Sequence, residues 1–433
     1  MTVFDRSDRF ERELPEILAA IVAPRLPDYT DELLAQATAT RQRSRWTFPE
    51  RWFGMDATAY RASLPAFPWR PLVIAALLVA LVVAAALLVA GSQPRVPPPF
   101  GPAKNGEIAF GDGDIWVRNG IDGESKLLIG GPTFDFAASF TRDGQRLTFL
   151  RRASGTPGTS SERLQLYVAN ADGTNVEPIS EPFANPDWTD LAPDSSYLVV
   201  SAGEPATGQH MYIADLSHPG RLRQINLGAN LDVATPSFIG PTGAEIVFRG
   251  SKNTPQGIRY GLFAVRPDGS GLRAITPTDG TDVDSGYQFP QPSPDGRYVA
   301  YMVWDDSIHG LRVHVVDLHT GEDRNLTDVG RSEGWATFSP DSKTLLYQNY
   351  TNQRYQFFVT PVDGGGPRLP IGPEYRQADN QGISGMFSPD GKSVIVSDSL
   401  SKQTRIVDAT KGGPGEVLPW SAADISGWQR LAP

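Results

Sequence analysis

The chain contains no cysteine. Disulfides, a zinc–thiolate site, a cysteine nucleophile and a lipidated cysteine anchor are therefore excluded. The absence does not fix a compartment, because an exported protein can also do without disulfides. Histidine is scarce, with only His210, His218, His309, His314 and His319. No hydrolase domain is expected after residue 430, so a nucleophile elbow of the hydrolase type has no such domain to sit in. Positive charge is in deficit, with 39 Lys and Arg against 49 Asp and Glu, a net −10. Residues 1–70 hold ten Arg and ten Asp or Glu, so the deficit falls on the rest of the chain. An acidic main domain argues against nucleic acid as its partner.

What is present begins with one long apolar run, PLVIAALLVALVVAAALLVAG, from Pro71 to Gly91. Its uncharged stretch Leu72–Ala90, as a helix rising 1.5 Å per residue, spans roughly 30 Å, a membrane's hydrocarbon thickness. No residue in it offers a polar face, which argues against a core helix. The long region before it and the lack of a convincing cleavage site argue against a signal peptide. Arg41, Arg43, Arg45, Arg51, Arg61 and Arg70 precede the run, and only Arg95, Lys104 and Arg118 follow closely. This bias predicts a single-pass cell-membrane protein with a cytoplasmic N-terminus and an extracytoplasmic C-terminal bulk.

Residues 1–70 read as a small helical region. Leu14, Ile17, Leu18, Ile21 and Val22 share one helical face. Thr30 is placed to cap a second helix, with acids first and Arg last, as the helix dipole prefers. So thin a core invites a partner or the membrane surface. Residues 92–104, SQPRVPPPFGPAK, are a proline-rich linker. Extended as polyproline at 3.1 Å per residue it is a stiff spacer of roughly 40 Å.

From 105 to 430 the chain is periodic. A tight-turn phrase recurs as TRDGQRLTFL (141–150), APDSSYLVVS (192–201), GPTGAEIVFR (240–249), SPDGRYVAYM (293–302), SPDSKTLLYQ (339–348) and SPDGKSVIVS (388–397). The steps between third positions are 51, 48, 53, 46 and 49 residues. A second phrase follows each, as in LFAVRPDGSGLRAIT and VHVVDLHTGEDRNLT, and a further copy, DIWVRNGIDGESKLL, precedes them all. Four strands per period of this length mean an all-β propeller. Pro fixes φ, Asp or Ser bonds back to the turn backbone and Gly supplies positive φ, so each SPDG closes a hairpin. Its Asp is expected to be structural.

FSPDG at 387–391, SPDG at 293–296 and FSPDS at 338–342 resemble the WD-like repeats of the TolB family and of the propeller in prolyl oligopeptidases. The resemblance covers about 104–430 and implies a protein-interaction module without enzymatic activity. TolB-type propellers are usually six-bladed. Here the count is seven. Seven sets of outer strands occur but only six complete inner strands before a turn. The first set lacks its inner strand, and ISGWQ (425–429) is an inner strand with nothing after it. The last strand is expected to enter the first blade and close the ring, leaving no open edge.

With strands lettered A to D from the channel outward, tight A–B and C–D turns occupy one face, and longer B–C and D–A loops the other. Variable loops on a rigid scaffold are where binding concentrates. The linker enters on the tight-turn face, so the long-loop face is expected to point away from the membrane. Trp304, Asp305, Asp306, Arg354, Tyr355, Tyr375 and Arg376 fall on that face and are the candidate contact residues, aromatics and Arg being suited to hot spots. HVVDLH (314–319) places His314 on a C strand and His319 beyond a turn, so no metal is expected there. Asp279, Asp282 and Asp284 cluster without EF-hand spacing and read as a solvated loop before a calcium site. The inner strands carry no His, which counts against a lyase or lactonase built in the channel. No catalytic residue, metal or cofactor is expected. The leading expectation is a membrane-anchored module binding a protein, peptide or envelope ligand. The alternative is signalling, with 1–70 holding a cytoplasmic regulator. The layout resembles membrane-bound anti-sigma factors, although 1–70 has no zinc-binding His/Cys motif.

Overall fold

The computed structural model describes Ala35, the helix Trp69–Ser92 and residues 97–432 except 99, 112, 185, 187, 204–207, 228–230, 256, 277–287, 327–331, 352–353, 377–382, 399–400 and 423–424. The chain divides into two units, 1–91 and 92–433. The two amphipathic helices expected within 1–70 lie outside the described residues.

In the first unit the apolar run forms the helix Trp69–Ser92. Its side chains are described over 73–84, roughly 18 Å of helix, and all of them are exposed, including Leu77, Leu81 and Val82. Among the described residues no helix is long and apolar enough to cross a membrane. The crossing expected for 71–91 is thus not shown.

The second unit is a ring of seven antiparallel sheets, each with four strands in sequence order, one sheet carrying an added two-residue strand, Phe183–Ala184. Blade 1 is the exception in order: its inner strand is Ile425–Leu431, paired with Lys104–Phe110 from the other end of the unit. The inner strands of blades 2 to 7 are Asp135–Phe140, Trp188–Leu191, Asp232–Ile239, Gln288–Pro292, Ser332–Phe338 and Ile383–Phe387. Ring closure by the chain's two ends is therefore as the repeat count predicts.

The core lies between blades. Alternate residues of the middle strands face the neighbouring sheet, so Leu166 and Val168 of blade 2 meet Leu198 and Val200 of blade 3. Val313 and Val315 of blade 5 likewise meet Leu345 and Tyr347 of blade 6. Each sheet is covered on both sides, which is why the strands read as near-continuous apolar runs.

The recurring turn explains itself in hydrogen bonds. Ser293 Oγ donates to Asp295 Oδ1 at 2.5 Å, and the Arg297 and Tyr298 amides return to Asp295 and Ser293. The same set recurs at Ser339–Asp341 and Ser388–Asp390. The Asp is a turn brace, as expected. The fourth position needs positive φ, and Ser195 and Ser342 occupy it at φ 61° and 63° where the other turns have Gly. Both serines latch neighbouring blades: the Asp143 amide donates to Ser195 Oγ and the Asp295 amide to Ser342 Oγ, each at 3.0 Å. Asn105 does the same for Asp390 at 3.0 Å. A left-handed non-Gly residue is strained, and a net hydrogen bond of about 1 kcal/mol offsets the strain. Ser342→Ala is expected to cost about 1 kcal/mol, and Ser342→Gly less, because Gly relieves the φ that Ala keeps. Denaturant titration of both variants checks this, and an Ala variant as stable as the parent removes the latch.

The linker is less of a spacer than its composition suggests. The Ala103 amide donates to Pro389 O at 2.8 Å, and Arg430 Nη2 donates to Pro98 O and Gly101 O. Pro98, Gly101 and Ala103 are therefore docked on the tight-turn face, opposite 304–310 at the far ends of the blade 5 strands. The B–C connections differ from the expected irregular loops. In blade 4 strand pairing continues to Thr254↔Gly257, and in blade 6 to Thr351↔Arg354, so these segments are long hairpin arms.

Candidate functional site

The seven expected contact residues separate into two groups. In blade 5, Trp304 Nε1 donates to Asp306 Oδ1 at 2.9 Å, and Asp305 accepts from the Ser307 amide and hydroxyl. Asp305 also pairs with the buried Arg312 at 3.1 Å. The Ser307 hydroxyl first, and then Arg312, hold the Asp305 carboxyl below its ordinary range. Among the described residues the hydrogen bonds of Trp304, Asp305 and Asp306 stay within 304–312, so this arm braces itself.

The second group sits on the two outer strands of blade 6, Arg354–Pro361 and Leu369–Arg376. Arg354 faces Arg376 and Tyr355 faces Tyr375 in register. Arg354 pairs with Glu374 at 3.1 Å, and the Tyr350 and Tyr355 rings lie 4.6 Å apart. Tyr375 is not a surface contact residue: it is 9% exposed and packs with Phe387 and Val396. Burial pushes its phenol up to about 12. The outer strand runs further than sequence punctuation suggests, and its alternation turns Tyr375 inward. Around Arg354, Tyr355 and Glu374 opens a cavity of about 350 Å³, also lined by Asn349, Thr351 and Gln356.

A second cavity lies on the axis of the ring. The central channel encloses about 370 Å³. Inner-strand and turn residues line it, among them Thr189, Asp190, Gln291, Trp335, Thr337 and Trp428. At the tight-turn end stand Arg142, Pro294, Pro340, Pro389 and Arg430. Deeper in, Trp188 of blade 3 and Phe289 of blade 5 meet with ring centroids 6.3 Å apart, although their blades are not neighbours. Ala137, Thr235, Phe289 and Trp335 have φ of 53°, 49°, 47° and 35° at or beside bulges in four inner strands. These breaks re-aim side chains towards the axis.

Asp190 lines the channel, and its Oδ2 accepts from the Phe238 amide at 2.8 Å. Burial pushes its carboxyl above the ordinary range, against the pull of Arg142. Burial, and then the Arg142 charge, pull the Arg430 guanidinium down to about 10. One sequence signal pointed here: Arg142 occupies the turn position that is Pro193, Pro241, Pro294, Pro340 and Pro389 in the other five turns.

His314 Nδ1 lies 3.1 Å from Asp323 Oδ2, while His319 is engaged through its amide with Asp317. Among the described residues no group of three or more His, Asp or Glu is placed to hold a metal ion. Asp279, Asp282 and Asp284 lie outside the described residues.

No family model matches the chain. It is 33% identical over 94 residues to a tricorn protease homolog of Streptomyces coelicolor, which is 19% of this chain and 8% of that protein. Among solved structures it resembles a prolyl endopeptidase at TM-score 0.52 and 13% identity, over 75% of this chain and 48% of that one. It resembles an oligogalacturonate lyase solved with manganese at TM-score 0.51 and 14% identity, over 72% and 85% of the two chains. It also resembles TolB of Acinetobacter baumannii at TM-score 0.45 and 16% identity, over 75% and 81%. At these identities the likeness concerns the fold.

Proposed function

We propose that the chain is a membrane-anchored binding module whose propeller engages a protein or peptide through its long-loop face. The observation that carries this reading is the blade 6 cavity, where Arg354, Tyr355 and Glu374 sit on paired strands beside the tip of a long hairpin. Arg and Tyr on a rigid scaffold suit a contact site. In this reading the apolar helix is the anchor, the Arg-rich side is cytoplasmic and the propeller is outside. The module has no catalytic role. Among the described residues lining the channel, Asp190 is the only carboxylate and none is histidine, which supports that reading.

Photo-crosslinking from position 356, with the full chain in washed membranes, tests the proposal. A defined adduct is expected, and Arg354→Ala with Tyr355→Ala is expected to weaken it at least about tenfold, as loss of a hot spot does. A chain released by alkaline wash, or an adduct indifferent to the double substitution, overturns it.

A further inference from the structure

The tight-turn mouth of the channel carries a second feature, independent of the long-loop face. Arg142 has no hydrogen-bond or ion-pair partner among the described residues, and it stands where the other turns place proline. A turn needs no arginine there: Pro pre-sets this position. Arg430 shares the mouth. Its Nη2 is taken by Pro98 O and Gly101 O, while its Nε is buried with no partner. The two guanidiniums are close enough that Arg142 lowers the proton affinity of Arg430. Among the described residues no carboxylate forms an ion pair with either guanidinium. Asp190 is committed to the Phe238 amide, and burial disfavours its charge. The surrounding wall is mixed, and its apolar part is formed by Pro294, Pro340, Pro389, Phe338, Phe387 and Trp428. Its volume, about 370 Å³, lies within the range of small-molecule sites, ~300–1,000 Å³.

Like charges held together inside a partly closed cavity are costly unless an anion joins them. A guanidinium fork matches a carboxylate with two parallel hydrogen bonds. From this geometry we infer that the channel mouth is a binding site for a small organic carboxylate. Its carboxylate takes the unpaired fork of Arg142 with the Arg430 charge beside it, and its apolar body lies on the proline and aromatic part of the wall. Arg430 also holds the linker, so the ligand shares one side chain with Pro98 and Gly101.

Thermal unfolding and calorimetric titration of the detergent-solubilised full chain test this, with benzoate and inorganic phosphate as probes. Benzoate at millimolar concentration is expected to raise Tm in proportion to ln(1 + [L]/Kd), with phosphate weaker because it leaves the apolar wall uncovered. Arg142→Pro is expected to lower benzoate affinity at least about tenfold, the effect of losing one charge-assisted pair of ~1.5–3 kcal/mol. That variant installs the residue five other turns already use, and the Arg142 amide donates no hydrogen bond that would be lost. Arg142→Gln serves as a second variant with the same expected direction. Asp190→Asn keeps an acceptor for the Phe238 amide, removes a negative charge and is expected to bind benzoate more tightly. Benzoate binding that survives both Arg142 substitutions, phosphate binding as tight as benzoate, or no binding of benzoate overturns the inference.

Discussion

A chain lacking residues 424–433 is expected to have no cooperatively folded propeller. The segment supplies the whole inner strand of blade 1, paired with Lys104–Phe110 from Lys104↔Leu431 to Phe110↔Ile425. It joins three blades at once. Ile425 and Trp428, both under 10% exposed, pack with Ile108 of blade 1 and Ile395 of blade 7. Gln429 Nε2 donates to Gly144 O of blade 2 at 2.6 Å, and Gln429 Oε1 accepts from the Glu107 amide at 3.1 Å. Fully burying each of the two large side chains contributes about 1.5–3 kcal/mol, before the ladder and the latches are added. A domain holds in total only about 5–15 kcal/mol. Removal therefore reaches the scale of the whole stability, and it exposes an unpaired strand edge at Lys104–Phe110 that invites aggregation. Circular dichroism should show no sigmoidal melt. Trp428→Ala, which keeps the strand, should remain folded but lose about 3–5 kcal/mol in denaturant titration. A truncated chain melting at the parent's temperature would falsify the closure.

That strand was legible in the sequence because its signal is local and repeated. ISGWQ matches the opening of other units, and the surplus at one end equals the deficit at the other. The SPDG turns were legible for the same reason: Ser, Asp and Gly satisfy one another within five residues. The candidate site was less so. Trp304, Asp305 and Asp306 were placed on the right hairpin, but their bonds close on Ser307 and Arg312, which loop composition does not reveal. Tyr375 follows Gly372 and Pro373, a pair that reads as a loop, yet the strand runs through them and buries the ring. Arg142, Asp190 and Arg430 are far apart in sequence and meet only because the ring brings inner strands together. The break in the turn motif at Arg142 was the one visible trace. Unlike the pattern of a hairpin, convergence on a channel has no local signature.

The same long-range character belongs to the pair that should matter most to blade 2. Asp135 is 1% exposed, and its two oxygens accept from Arg151 Nε and Nη2 at 2.7 and 2.8 Å. The bond with Asp135 is the main cause that raises the Arg151 proton affinity. Arg151 in turn lies 4.4 Å above the Tyr167 ring. The Asp135 backbone exchanges both hydrogen bonds with Gly113 of blade 1, so the carboxylate sits at a seam between blades. Replacing a buried, bidentate pair by one unpaired charge costs about 3–5 kcal/mol. Arg151 retains about a fifth of its side-chain exposure and can turn towards water, which places Asp135→Ala near the lower figure. Arg151→Met leaves the buried Asp135 carboxylate with only the Thr133 hydroxyl beside it and should cost more than Asp135→Ala. The double variant Asp135→Leu with Arg151→Met removes both charges and should recover most of the loss, since apolar replacement of a buried pair is often neutral. Denaturant titration of the parent, Asp135→Leu, Arg151→Met and the double variant forms a double-mutant cycle. A coupling below about 0.5 kcal/mol would mean that the two side chains act independently and that the seam is held by the Gly113 backbone bonds alone.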